Sequence, residues 1–169
     1  GQTYTLTNGT DIATANVFNS GLVYVPGGND RINALQDEDL LTGIAGRTDN
    51  TLNVTLGTPN DNGGWTITTY LNNSQNINID WTGNSTTLDL RNADSTASVN
   101  VQRVTSDAPP VTVAPTGTPA AHFRVTNTAT QNVTPRIRLK QGVLVAHQDM
   151  PLKHNDVLSN SVSPTDRDS

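Results

Sequence analysis

Residues 51–57, Thr-Leu-Asn-Val-Thr-Leu-Gly, alternate without a break: Leu52, Val54 and Leu56 fall on one side of an extended chain, Asn53 and Thr55 on the other. A helix would scatter these residues around its axis, so a period of two predicts a half-buried β-strand. The pattern returns in WTITTYL (65–71), INIDW (77–81), TTLDL (86–90), ASVNVQRV (97–104) and VTVAP (111–115). The run centres, near Val54, Ile67, Ile79, Leu88, Val99 and Val113, lie roughly 9 to 14 residues apart. Turn-forming clusters, GTPNDNGG, NNSQN and TGNS, separate the earlier runs. Leu52, Val54, Ile67, Ile79, Leu88, Leu90, Val99 and Val101 are the expected inward residues.

Outward from this region the composition points the same way. The 26 Thr and 20 Asn among 169 residues favour short strands and tight turns over helices, because Thr is β-branched and Asn tolerates turn geometry. Strand spacing of this kind fits an all-β fold of two sorts. Either a β-solenoid stacks one short strand per turn with Asn and Thr at its corners, or a sandwich pairs strands through hairpins. Upstream, TYTLT, a turn at Asn8-Gly9 and GLVYVPGG read as further strands. INALQDEDLLTGIAG, within residues 31–49, is expected to form one or two helical turns around Leu35, Leu40, Leu41 and Ile44.

The expected organisation is a β-strand-repeat domain over 1–105, a Pro/Thr-rich linker over 106–120, a small antiparallel β module over 121–158, and a disordered tail over 159–169. The linker, alternatively an edge segment, rests on TSDAPPVTVAPTGTPA, which holds four of the nine prolines. The module rests on Phe123 and Val125 alternating with Arg124, and on Ile137 and Leu139 alternating with Arg136 and Arg138.

Charge and residue usage narrow the function. A net charge of −5 and a pI near 4.9 argue against a nucleic-acid partner. With no cysteine there is no disulfide framework, thiolate chemistry or cysteine-ligated zinc. No apolar run approaches the roughly 20 residues of a membrane-spanning helix, and GQTYTLTNG has neither the basic region nor the apolar core of a signal peptide.

Candidate sites are few. Gly27 to Gly43, GGNDRINALQDEDLLTG, packs Asp37, Glu38 and Asp39 between Leu35 and Leu40. Calcium takes six to eight oxygens from a constrained loop, and Asp30, Asp37 and Asp39 are the candidate ligands, with Asp49 as a further donor. The competing expectation is a solvated acidic turn. TPNDNGG (58–64) offers Asp61 as a weaker cation loop. His122, His147 and His154 lack the spacing of a zinc helix, and no Gly-x-Ser-x-Gly elbow is present. Paired carboxylates such as Asp80 and Asp89 could sit on neighbouring strands; as surface aspartates they need no such role, and no enzyme is expected. The sequons at Asn8, Asn53, Asn84 and Asn132 follow from composition.

The order YTLTNGTDIATANVFN, GGNDRINALQDEDLLTG, NTLNVTLG and NINIDWTGNSTTLDLRNADSTASVNVQRV resembles the Asp/Asn/Thr-rich β-strand-repeat segments of bacterial surface-layer and RTX-type adhesin proteins, over about residues 2–105. The resemblance implies an exported, extracellular or cell-surface structural or adhesive protein, often stabilised by calcium. The chain departs from calcium-binding β-rolls, which repeat G-G-x-G-x-D in tandem, because only Gly27-Gly28-Asn29-Asp30 approaches that motif. The expected function is therefore a self-associating structural protein of a surface layer, filament or adhesive array, with a cell-surface glycan as a further partner. Alternatives are a virion structural protein, as capsid decoration or tail component, and a carbohydrate-binding module with Trp65, Tyr70 and Trp81 as its stacking platform.

Overall fold

Where apolar and polar residues alternate, the chain is extended. The computed structural model describes residues 2–24, 27–28, 31–57, 65–82, 86–104, 111–114, 124–129, 135–137 and 153–159, and among these it has sixteen short strands and no helix. The chain opens with β1 (Thr3–Thr5) and β2 (Ile12–Thr14). Next come β3 (Val17–Ser20), the antiparallel pair β4 (Leu22–Tyr24) and β5 (Arg31–Asn33), and β6 (Leu40–Thr42). β7 (Thr51–Leu56), β8 (Trp65–Ile67) and β9 (Tyr70–Asn72) follow. Then come β10 (Asn76–Trp81), β11 (Thr86–Asp89), β12 (Ser98–Val104) and β13 (Val111–Ala114). The last are β14 (Arg124–Asn127), β15 (Pro135–Ile137) and β16 (Val157–Ser159).

In the three larger sheets, strands consecutive in the chain do not neighbour one another. The largest sheet has the order β1-β3-β7-β10-β12-β14-β16, a second β15-β13-β11-β8 and a third β2-β6-β9. All of their pairings are parallel except β14 with β16. Parallel neighbours cannot be joined by a tight hairpin, so the chain must leave a sheet and travel before it returns. Between β7 and β10 it lays β8 in the second sheet and β9 in the third. Between β10 and β12 it adds β11 to the second sheet and bridges Ala93 to Leu71 of the third.

The register stacks like on like. Phe18, Leu52, Ile77 and Val99 occupy one inward column of the largest sheet, and Val54, Ile79 and Val101 another. Leu56 lies beside Trp81, both fully buried. All eight residues expected inward are buried. Each large side chain so placed contributes about 1.5–3 kcal/mol of burial, which sets the register because a one-residue slip would turn the whole column outward.

Three expectations meet a different outcome. The helical turns expected over 31–49 do not form; β5 and β6 lie there, with Leu41 inward and Leu40 facing out. Among the described residues the expected antiparallel module is mixed: β14 is parallel to β12 with Val125 in register with Val99, β15 is parallel to β13, and β16 runs antiparallel to β14. The alternation near Val125 extends a sheet that already exists. Val111–Ala114, inside the stretch read as a linker, is a strand of the second sheet. The expected tail lies outside the described residues beyond Ser159.

Candidate functional site

Asp39 stands at the entry to β6 and is fully buried. Its Oδ1 accepts the backbone N–H of Asp11 at 2.8 Å and its Oδ2 that of Gln36 at 2.8 Å. Its own carbonyl accepts the Tyr70 N–H at 3.1 Å and the Thr69 hydroxyl at 3.2 Å. One residue thus ties together the entries of β2, β6 and β9. Burial pushes the Asp39 carboxyl above its ordinary value; the two backbone donors pull it down, and the charges of Asp11 and Glu38 push it up again.

Asp11, just before β2, is the second buried carboxylate of this corner. Its Oδ1 accepts the Tyr4 hydroxyl at 2.8 Å and the Thr7 hydroxyl at 2.9 Å, and its Oδ2 accepts the Thr7 N–H at 3.0 Å. The hydrogen bond to Asp11, and after it burial, raise the Tyr4 phenol above its ordinary value. Every oxygen of both carboxylates is engaged, so the pair works as a staple between strands. Sequence reasoning passed over Asp11; the signal was a lone acid in TNGTD immediately before a short apolar run.

The expected calcium ligands are described only in part. Asp30 lies outside the described residues. Asp37 is exposed and accepts the Thr68 N–H at 2.8 Å. Among the described residues no three His, Asp or Glu side chains converge as a metal site requires. Asp61 and its loop lie outside the description.

Asp80 and Asp89 are separated in the same way. Asp80 is half-buried on the outward side of β10, whereas Asp89 is buried at the end of β11 in another sheet. Asp89 accepts the Arg91 N–H at 3.0 Å and its Nε–H at 2.7 Å. His154 donates through Nδ1 to the Ala129 carbonyl at 2.8 Å, and His122 and His147 are outside the description. Of the expected stacking platform, Trp81 is buried in the core and unable to serve, while Tyr70 is exposed.

The outward side of the largest sheet carries a different device. Asn19, Asn53 and Asn78 share one register column. Asn78 donates through Nδ2 to Asn53 Oδ1 at 2.9 Å, and Asn53 to Asn19 Oδ1 at 3.0 Å. Beside this ladder, Thr55, Asp80 and Gln102 help enclose an open groove of about 230 Å³. Such a surface offers amides and a carboxylate to hydroxyl-rich ligands. A further amide, Asn50, is fully buried at the corner before β7, where it accepts the Ile44 N–H at 3.0 Å and donates to the Ile44 carbonyl at 3.1 Å. No protein-family model matches this chain, and no curated protein or solved structure matches it either.

Proposed function

We propose that the chain is an exported structural protein or a section of one, wound as a parallel β-solenoid, that assembles with its own copies into a surface layer, filament or adhesive array. The observation that carries this reading is the use made of the buried carboxylates: Asp11, Asp39 and Asp89 are spent on holding the backbone and neighbouring side chains. Parallel pairing of strands far apart in sequence supports the solenoid, in which each turn of chain buries its apolar side against the next. The resemblance over residues 2–105 supports the surface location. Calcium is not required by this reading, since Asp39 already has a donor on each oxygen.

A second reading is favoured by the groove beside the asparagine ladder: the same body offers that face to a cell-surface glycan. Sedimentation velocity from sub-micromolar to high-micromolar protein, with millimolar calcium and with chelator, tests the first reading. Concentration-dependent particles larger than one chain are expected in both conditions. A single 18.0 kDa species throughout would overturn it.

A further inference from the structure

The outward side of the β2-β6-β9 sheet carries an apolar stripe that the strand stacking leaves uncovered. Ile12, Leu40 and Tyr70 occupy one register position on three successive strands. Alternation sends Leu41 and Leu71 into the core, while Ile12 stays 71% and Tyr70 50% exposed. These two are half of the four large apolar side chains left exposed among the described residues. The other outward column of the sheet is Thr14, Thr42 and Asn72. All six side chains are uncharged in a chain of net charge −5.

We infer that this face is where two copies of the chain meet, packed sheet against sheet about a two-fold axis running along β6. The inference rests on the self-assembly reading and names its contact. A chain of net negative charge repels its copies least where the facing surface carries no charge. The stripe also matches itself. Rotation about β6 sets Leu40 against Leu40 of the partner subunit, Ile12 against Tyr70 of the partner subunit, and Thr14 against Asn72 of the partner subunit. Apolar then covers apolar and polar faces polar, as an isologous interface requires. Three strands spaced about 4.8 Å apart make a patch far smaller than the roughly 1,200 Å² of a stable complex. A single contact is therefore weak, and it gains strength where an array repeats it. Asp37 and Glu38, exposed just beyond the N-terminal end of β6, sit at the rim, so added salt strengthens the association.

The absence of cysteine makes the test clean, because one substitution introduces one thiol. Packed sheets stand about 10 Å apart, too far for a direct disulfide, whose Cα atoms lie about 4.4–6.8 Å apart. A short bifunctional thiol reagent should therefore link Leu40→Cys into covalent dimers several-fold faster than Asn78→Cys, which places its thiol on the outward side of the largest sheet. Separately, Tyr70→Asp should weaken self-association at least tenfold in sedimentation while leaving the circular-dichroism melt in place. Equal linking rates at positions 40 and 78 overturn the inference, whether or not Tyr70→Asp folds. Undiminished association of a folded Tyr70→Asp overturns it too, and leaves the assembly reading standing. Wild-type protein that never associates overturns both. Loss of retention on an immobilised polysaccharide in Tyr70→Asp, with association unchanged, assigns the face to a glycan and overturns the inference.

Discussion

Replacing Asp39 by alanine removes the acceptor from two backbone donors at once, the N–H groups of Asp11 and Gln36, each now 2.8 Å from a carboxylate oxygen. A buried donor left without an acceptor costs about 1–3 kcal/mol. Relief of the desolvation that raises the Asp39 pKa offsets part of the sum. The expected net loss is about 2–4 kcal/mol, or a melting temperature lower by roughly 4–16 °C at 2–4 °C per kcal/mol for a chain of this size. Asp39→Asn keeps one acceptor and should lose about half as much, about 1–2 kcal/mol. Acidity separates this account from simple loss of packing. Because the folded-state pKa of Asp39 lies above the ordinary 3.8, the folded chain holds the proton more tightly. This group's contribution is complete below the unfolded value and is lost as pH rises through the folded one. The non-titrating Asp39→Asn lacks that slope, so its deficit against wild type should widen as pH falls from neutrality toward 4. Urea unfolding at fixed protein concentration, at several pH values, measures both quantities, with concentration held constant because association shifts apparent stability. An Asp39→Ala loss under about 1 kcal/mol would refute the staple, whereas an Asp39→Asn deficit that narrows in acid would show the two backbone donors outweighing burial and refute the raised pKa instead.

Val99→Asp places a carboxylate in a fully buried aliphatic column and should cost several kcal/mol, about 3–5; an unchanged urea midpoint would remove Val99 from the core. At Gly43 an added Cβ would overlap the Asn73 carbonyl oxygen and stand 2.6 Å from the Asn50 side chain. Gly43→Ala should therefore cost about 1–3 kcal/mol or more by overpacking, while Gly21→Ala, with open space around its Cβ, serves as the mild comparison in the same melt. Millimolar calcium should leave the melting temperature where chelator leaves it, since Asp37 and Asp39 already accept backbone donors. A rise that saturates with calcium, worth about 2.7 kcal/mol at a hundredfold excess over Kd, would instead place an ion in the 27–43 loop.

Strand positions and their buried faces were legible because alternation is a local signal: Leu52, Val54 and Leu56 declare a face whatever the fold around them. Pairing partners were not. Asn76 lies beside Thr51 in one direction and Ser98 in the other, yet nothing between these residues distinguishes a parallel return from a hairpin. The helical turns expected around Leu40 and Leu41 failed for a related reason. Two adjacent leucines after an acidic cluster suit a helix face as well as a strand, and the strand won because β6 has β2 on one side and β9 on the other. The acidic segment itself drew attention correctly, but its chemistry could not be read locally, because one donor to Asp39 comes from Asp11, 28 residues away.

The choice between aspartate and asparagine at the buried corners follows from what faces each side chain. A carboxylate offers only acceptors, whereas an amide offers one acceptor and two donors. Asp39 faces two backbone N–H groups. Asp11 faces two hydroxyls and an N–H. Asp89 faces the backbone and guanidinium donors of Arg91. At Asp39 and Asp89 an asparagine would set an NH₂ against a donor, whereas at Asp11 the two hydroxyls can turn to accept one. Asn50 faces a mixed set, the N–H and carbonyl of Ile44 and the carbonyl of Arg47, and there a carboxylate would be the misfit. Side-chain length also favours Asp over Glu at these three buried corners. The shorter side chain reaches backbone groups a few residues away without crossing the core, which is what a turn leading into a short strand requires. Acidity in this protein is thus partly a corner-building material, and a count of acidic residues overstates how much of its charge is free to meet a ligand.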